Sequence, residues 1–473
     1  MTNISTHETP HHCVVVGGGF AGITAAVRLA EVGIRVTVVE ARAEAGGRVQ
    51  SLNDHTTGET IDNGQHLLMG CYDATLRLLQ TLGTTHLLRR QAALRVWFGD
   101  CLEQINNGNG AKIFALDASR LPSKLGMAYG MLNLHGLSLH EKYDLLRFAA
   151  RLQLNLVKPM NKTAWELLRE ERQSERVITR LWEPIILATL NAPVHAASAT
   201  LLVQVMRLAF LGGREASQIL IAETGLQEVL SSARSFLEQR GSRIVTATVK
   251  RLLYENGVVC GVECVNGEKF FADSIISALP SAMMLKLLPD DVRNTSYFHA
   301  LQGFETSPII SIYLWMDGDF LEQDFIALLG TATQWVFNRR KLCVAPNDVT
   351  ERFPGHCSLT ISAASELAQR GQTEIVESCW SELQRAFPRA RTAQLLHSRV
   401  IRERHATPLF TPENEHLRPN AETPLQNLFL AGDWTNTGLP ATIESAARSG
   451  ERAADAVLTQ LSAQNQSALR SHP

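Results

Sequence analysis

The chain has 473 residues, 45% of them hydrophobic and 19% charged, too many for one ordinary core and too apolar for disorder. Its net charge of -2 gives no electrostatic footprint for a nucleic acid. Eight cysteines are scattered without a C-x-x-C pair, the pattern of free thiols in a reducing compartment.

The first twelve residues, MTNISTHETPHH, lack the apolar segment of a secretory signal. No run approaches the roughly 20 apolar residues that span a bilayer. A cytoplasmic chain, soluble or peripheral on the inner membrane face, is expected.

Cys13 to Val16 is a short apolar run suited to a buried parallel strand. Gly17 to Gly22 is a turn. Ala21 to Val32 is predicted as a helix ending at Gly33, a C′ position. Ile34 to Glu40 is the second strand, which completes a right-handed βαβ crossover. Gly17, Gly19 and Gly22 form G-x-G-x-x-G between the first strand and the helix. Gly17 allows the tight turn, Gly19 lets the backbone approach a pyrophosphate, and Gly22 lets the helix pack closely on the strand. The helix N-terminus offers free N–H groups to phosphate. Glu40 lies 18 residues beyond Gly22, where a carboxylate accepts from ribose hydroxyls and repels a 2′-phosphate. A dinucleotide other than NADP is expected.

Gly58 to Tyr72 is a glycine-punctuated stretch, and helical periodicity returns from Ala74 to Leu88. Residues 114 to 215 read as mostly helical. Their methionines and leucines suit an apolar pocket or a lipid-touching surface, although an ordinary core is the plainer reading. Gly225 to Gly241 reads as a helix. Strands at Ser242–Val249, Arg251–Tyr254, Val258–Val265 and Glu268–Phe271 flank turns at Asn256-Gly257 and Asn266-Gly267. Cys260 and Cys264 share one strand face, but no His or Cys nearby completes a ligand set, so no metal is expected. Ser274–Leu279 reads as a buried strand closed by Pro280. Ile309–Met316 and Cys357–Ala363 build a further sheet, and Glu374–Phe387 is a helix. Leu428–Ala431 is a last buried strand, followed by Gly432-Asp433, then Gly438, Pro440, Ala441 and a helix from Thr442 to about Leu458. An acid at such a strand end can hold a ribityl hydroxyl or order water on a pyrophosphate. The dipole of the helix beyond can face a flavin pyrimidine.

Glu40-Ala41-Arg42 and Gly46-Gly47-Arg48 resemble the extended fingerprint of the FAD-dependent amine oxidase and phytoene desaturase superfamily. The resemblance implies that Arg42 lies along the adenosine and that Gly47-Arg48 sit against pyrophosphate and flavin. It gives Asp433 and the backbone at Ile443 the roles just described. It also places Val249 where a strand backbone binds adenine. No Cys or His stands in the final loop where some relatives attach the flavin, so FAD is expected to be non-covalent. The implied fold class is α/β: a Rossmann-type, amine-oxidase-like FAD domain (10–75, 216–285 and 425–460) beside an α+β substrate domain (76–215 and 286–424). A polar tail covers 461–473.

Asp62-Asn63 with Gly64-Gln65-His66-Leu67-Leu68-Met69-Gly70-Cys71-Tyr72 resembles a segment of plant-type phytoene desaturases. Together with Trp434 to Ala446, Leu181-Trp182-Glu183-Pro184 and Asn191, it is more similar still to the squalene-associated, FAD-dependent desaturase-like family, the hydroxysqualene dehydroxylases of bacterial hopanoid synthesis. That resemblance implies a reductive reaction: a hydroxylated long apolar isoprenoid loses its hydroxyl and gains a hydride from reduced flavin N5, giving squalene and water. An electron donor, which the sequence does not identify, must then reload the flavin. His66 is the first candidate for the acid, or for positioning the hydroxyl, because its titration range suits proton transfer near neutrality. Asp62 and Tyr72 are reserves. Trp434 reads as packing over the flavin edge, and Trp315 and Trp335 as core rather than tunnel lining.

The same fold also carries carotenoid or phytoene desaturases, which remove hydride instead. It carries amine oxidases, which want an aromatic cage that the six tyrosines do not offer. A redox-inactive lipid escort could dispense with the phosphate-binding glycines, and this chain has all of them. The apolar region from about Leu121 to Val157 is expected to face the membrane.

Overall fold

A computed structural model describes residues 11–102, 110–121 and 123–471. Most of the segment read against a secretory signal therefore lies outside the described residues. Short apolar runs rich in β-branched residues make His12–Val16, Arg35–Glu40, Arg243–Thr246, Ser274–Ser277 and Leu428–Leu430 strands of one five-stranded sheet. Their order is 243–246, 35–40, 12–16, 274–277, 428–430, and every pairing is parallel. All five therefore point their C-terminal ends at one edge, where open α/β sheets bind ligands. Helix Phe20–Glu31 lies on one face, packed against the long helix Ile443–Ser471, which runs on through the expected polar tail. Val32 and Gly33 close the first helix, with Gly33 at φ +84°.

The helix expected to reach Leu88 stops at Leu82. Gly83 adopts φ +73° there, and Leu88–Arg90 becomes a strand instead. Likewise 225–241 is a 3₁₀ turn, Leu226–Leu230, and a short helix, Ala233–Glu238, rather than one helix. The stretch expected to be mostly helical from residue 114 begins as strand Lys112–Asp117, paired with Arg95–Asp100. Side-chain capping at Ser138 and Thr163 then starts helices Leu139–Gln153 and Ala164–Glu170.

These two strands belong to a seven-stranded sheet ordered 395–408, 306–316, 355–362, 335–338, 325–329, 95–100, 112–117. Strand alternation gives it two faces. Ile310, Ile312, Leu314, Val336, Leu359 and Ile361 face outward under helix Gln372–Ala386. On the inner face Phe98, Phe325, Trp335 and Phe337 join the core made with the helical region, each fully buried ring worth about 2 kcal/mol. The buried pair Arg180–Asp100, at 2.9 Å, ties that region to the sheet.

The far end of the inner face is polar. Trp315 stacks on His356 at 4.3 Å and donates to Glu59 Oε2, which also accepts from Arg340. His397 packs on the other side of Trp315 and pairs with Asp54 at 3.2 Å. Burial pushes the His356 imidazole down to about 4, against the pull of Glu59 3.4 Å away. The folded value lies below the unfolded one. The unfolded chain therefore binds the proton first as pH falls through 6.5, and stability is lost from there down to about pH 4. A loss of about 3 kcal/mol is expected over that window. Chemical unfolding of wild type and His356→Phe at both ends of the window checks this. The variant keeps the stack and should show a slope flatter by that amount, and an unchanged slope refutes the assignment.

Candidate active site

The turn after the first strand is shaped by close approach. Gly17 has φ +106°, and a Cβ at Gly22 would lie 1.9 Å from the Gly17 carbonyl oxygen. Gly47, at φ +62°, rests against Gly19, where a Cβ would come within 3.0 Å of the Gly19 Cα. Gly19 begins the helix without a side-chain cap, and the first turn carries no acid, so its N–H groups are left for an anion. This cradle of bare backbone fits a pyrophosphate.

Glu40 ends its strand buried. Its Oε2 accepts the Gly18 N–H at 2.6 Å and its Oε1 accepts the Arg42 N–H at 2.9 Å, so the carboxylate braces the glycine loop as well as facing the expected ribose position. Arg42 donates to the Gly47 carbonyl and to Gln50, which fastens the second glycine turn to the first. The Ala247 N–H donates to the Glu40 carbonyl at 2.8 Å, but the strand expected to run to Val249 ends at Thr246, and Val249 opens a strand of a separate three-stranded sheet, paired with Cys264.

Arg48 crosses to the other end of the chain. Its Nη2 donates to Asp433 Oδ1 at 2.6 Å and its Nη1 to the Ala406 carbonyl at 2.7 Å. Burial works against the guanidinium charge, but Asp433 outweighs it and holds the pKa above the usual value. Gly432, at φ +143°, could not carry a side chain, because a Cβ would strike the Trp434 indole at 2.6 Å. Trp434 Nε1 donates to the Leu279 carbonyl, consistent with packing. Ile443 opens the last helix beside Thr442.

Arg418 was not legible in the sequence. Its buried guanidinium donates to the carbonyls of Leu439, Asp433 and Thr435 and to Thr437 Oγ1, so one side chain sets the course of the whole 433–439 loop. Glu403 was missed too. It accepts from Asn63 Nδ2 at 3.0 Å and lies within electrostatic reach of Arg48. Alternation along strand Leu395–Pro408 is the only sequence signal that would have put it on the inner face.

His66 lies in the loop after strand Thr60–Asp62, within electrostatic reach of Asp62 and Arg48. Burial lowers its pKa, Asp62 opposes this and Arg48 adds to it, so the ring is neutral near pH 7. Asp62 is otherwise engaged: Oδ1 accepts from Ser51 Oγ and the Leu226 N–H, and Oδ2 is 3.9 Å from Arg339. Tyr72 stands at the start of helix Asp73–Leu82 with its phenol near the Thr442 hydroxyl, and burial raises its pKa well above 10. Asp62 is thus within reach of His66, whereas Tyr72 is engaged with Thr442 at the last helix and is not brought to His66. Asn191, at φ +48°, clamps the sheet by donating to Ser307 and Thr407 and accepting the Ala363 N–H.

Comparison with known proteins shows the family of the chain. The family described as flavin containing amine oxidoreductase matches residues 20–458. A hydroxysqualene dehydroxylase of Rhodopseudomonas palustris is 31% identical over 458 residues, covering 94% of this chain and 97% of the relative. One from Sinorhizobium fredii is 29% identical over 95% of this chain and 99% of its own. A 15-cis-phytoene desaturase of Synechococcus elongatus is 24% identical over 94% of this chain and 95% of that one. Among solved structures, an oxidoreductase from Methanosarcina mazei superposes with a TM-score of 0.73 at 17% identity, over 93% of this chain and 99% of that one.

Proposed function

Since the chain belongs to the flavin-containing amine oxidoreductase family and is a FAD-dependent oxidoreductase, we propose that it reductively removes the hydroxyl of hydroxysqualene to give squalene and water. Bound FAD, held without a covalent link, supplies the hydride chemistry. The reaction consumes one hydride and one proton, and the hydroxyl departs as water. The observation that carries the reading is the inner face of the seven-stranded sheet. There the buried aromatic core of Phe98, Phe325, Trp335 and Phe337 gives way to a half-buried surface at Thr360 and Ile401 beside the His66 loop, and relatives named for hydroxysqualene suggest the substrate.

In this reading Gly17, Gly19, Gly22, Gly47 and the N-terminus of helix Phe20–Glu31 hold the pyrophosphate. Glu40, Arg42 and Val249 hold the adenosine. Arg48, Asp433, Gly432 and the backbone at Ile443 hold the flavin end. Neutral His66 orients the substrate hydroxyl through a ring nitrogen, and the aromatic core excludes water from the carbon that loses it.

The protein, reduced anaerobically and mixed with hydroxysqualene, should form squalene with flavin reoxidation in a single turnover. His66→Asn should bind FAD normally and slow that turnover about 100-fold. If squalene is absent and phytoene instead reduces the oxidised flavin, a desaturase replaces this reading. The electron donor in the cell is a separate protein or small reductant, to be found by its ability to sustain multiple turnovers.

Delivery of so insoluble a substrate points to a membrane surface. Among the described residues no helix is long and apolar enough to cross a membrane. Leu125, Leu132, Leu139, Tyr143, Leu154 and Met160 are exposed, with Leu139 86% accessible. Residues 120–158 carry six Lys or Arg against two acids. We propose that this face docks on anionic lipid. Flotation with phosphatidylglycerol vesicles should carry the protein upward, and Leu139→Glu with Met160→Glu should leave it at the bottom. Equal flotation of the two proteins refutes the face.

A further inference from the structure

The inner face of the seven-stranded sheet changes character across its width. Ser311, Thr360 and Trp335 stand side by side in one cross-strand row, through the pairings Ser311–Thr360 and Trp335–Thr360. Ser358 stands next to this row on the same strand face as Thr360. Ser311 is 1% exposed, Ser358 0% and Trp335 8%. Ser311 Oγ, Ser358 Oγ, Thr360 Oγ1 and Trp335 Nε1 are all buried without a hydrogen-bond partner. Leaving one such group unpaired costs about 1–3 kcal/mol, so four together are unusual in a core.

The row lies beside the candidate site. A Cβ at Gly64 would come 3.2 Å from Ser311 Oγ, so the loop that carries His66 passes over this serine. The face is also partly open there. Thr360, Ile309, Ile401 and Glu403 are half-buried, whereas the outward neighbours Ile310, Ile312 and Leu359 are each 0% exposed. Thr360 is therefore a central sheet position that the chain itself covers on one side only. Beyond Trp335 the inner face is hydrocarbon and aromatic, with Phe98, Phe325 and Phe337.

We propose that Ser311 and Thr360, supported by Ser358 and Trp335 Nε1, form a polar subsite that binds the hydroxyl of the isoprenoid substrate and fixes which carbon faces the flavin. Hydroxyls donate and accept and the indole N–H donates, which suits one neutral alcohol set in an otherwise apolar chain. An apolar site with a few placed polar groups takes its orientation from those groups. The alcohol satisfies protein groups that a hydrocarbon leaves unpaired, so the subsite separates hydroxysqualene from squalene and favours release of the product. The inference rests on the proposed function and deepens it.

The test is binding of hydroxysqualene and of squalene to the oxidised holoenzyme, followed by perturbation of the flavin spectrum, for wild type and for Ser311→Ala/Thr360→Val. Both replacements are smaller or equal in size and remove only unpartnered hydroxyls, so FAD content and melting temperature should hold or rise. Wild type should prefer hydroxysqualene, and the double variant should lose about tenfold of that preference with squalene affinity unchanged. Thr360→Ser, which keeps the hydroxyl, should retain the preference. If wild type prefers the alcohol and the double variant keeps that preference, or loses affinity for both ligands equally, the subsite is refuted while the function stands. If wild type itself shows no preference, the subsite is refuted, and the function is decided separately by single-turnover formation of squalene.

Discussion

Gly22→Ala should yield a protein without bound FAD. The new methyl would stand 1.9 Å from the Gly17 carbonyl oxygen and 3.2 Å from the Ala278 Cβ, both fixed by the central strands. Neither is the free end of a flexible side chain, so the first helix must retreat from the sheet. That withdraws its N–H groups from the pyrophosphate position. Overpacking against backbone is expected to cost at least about 3 kcal/mol, on top of the lost cofactor. The visible spectrum and the melting temperature measure both, and stoichiometric FAD in the purified variant would refute the argument. Gly33→Ala is the control. Its φ of +84° strains a side chain, but nothing lies within 4 Å, so it should cost about 1 kcal/mol and keep its flavin.

Arg418→Met is expected to weaken FAD binding at least tenfold and to destabilise the protein by about 1–3 kcal/mol. Burying the guanidinium is itself costly, which is why its pKa falls to about 10. Losing it relieves that cost but strands the Leu439 carbonyl and leaves the Asp433 and Thr435 carbonyls with one donor each, Ser445 Oγ and the Thr437 N–H. The stranded Leu439 acceptor costs about 1–3 kcal/mol, and the loss of the fork that joins Leu439, Asp433, Thr435 and Thr437 adds to it. Arg418→Lys should restore little, because a single ammonium cannot span carbonyls in a fork. FAD titration of the apoprotein and thermal unfolding decide it. Wild-type affinity in the Met variant would mean that the 433–439 loop holds its own shape.

The parts of this protein that could be read from the sequence are those governed by local rules. The spacing of Gly17, Gly19 and Gly22, and the placing of Glu40 at a strand end, follow from what a βαβ turn needs. The Asn256-Gly257 turn, with both residues at positive φ, follows the same logic. What could not be read depends on partners remote in sequence. Arg418 is one arginine among many until the loop 433–439 folds around it. Glu403 and Thr360 are unremarkable strand residues until the register of the seven-stranded sheet sets them beside the His66 loop. The missed strand Arg95–Asp100 has the same cause. It is stabilised by its neighbours Lys112–Asp117 and Phe325–Leu329, one of them more than two hundred residues away. The helix overrun to Leu88 was different, since Gly83 was available as a stop signal and was outweighed by the leucine periodicity around it.

The strand order of the five-stranded sheet also constrains the life of the protein before it is an enzyme. Arg48 meets Asp433, and Leu428–Leu430 joins the sheet beside Ser274–Ser277. A ribosome that has made the glycine loop has made only half of a clasp, and the other half emerges nearly four hundred residues later. The nascent chain therefore has no closed site for the cofactor until translation has passed residue 443. A message cut short before that point yields chains that cannot be rescued by FAD. If both halves hold one FAD as proposed, flavin capture would select finished chains over fragments.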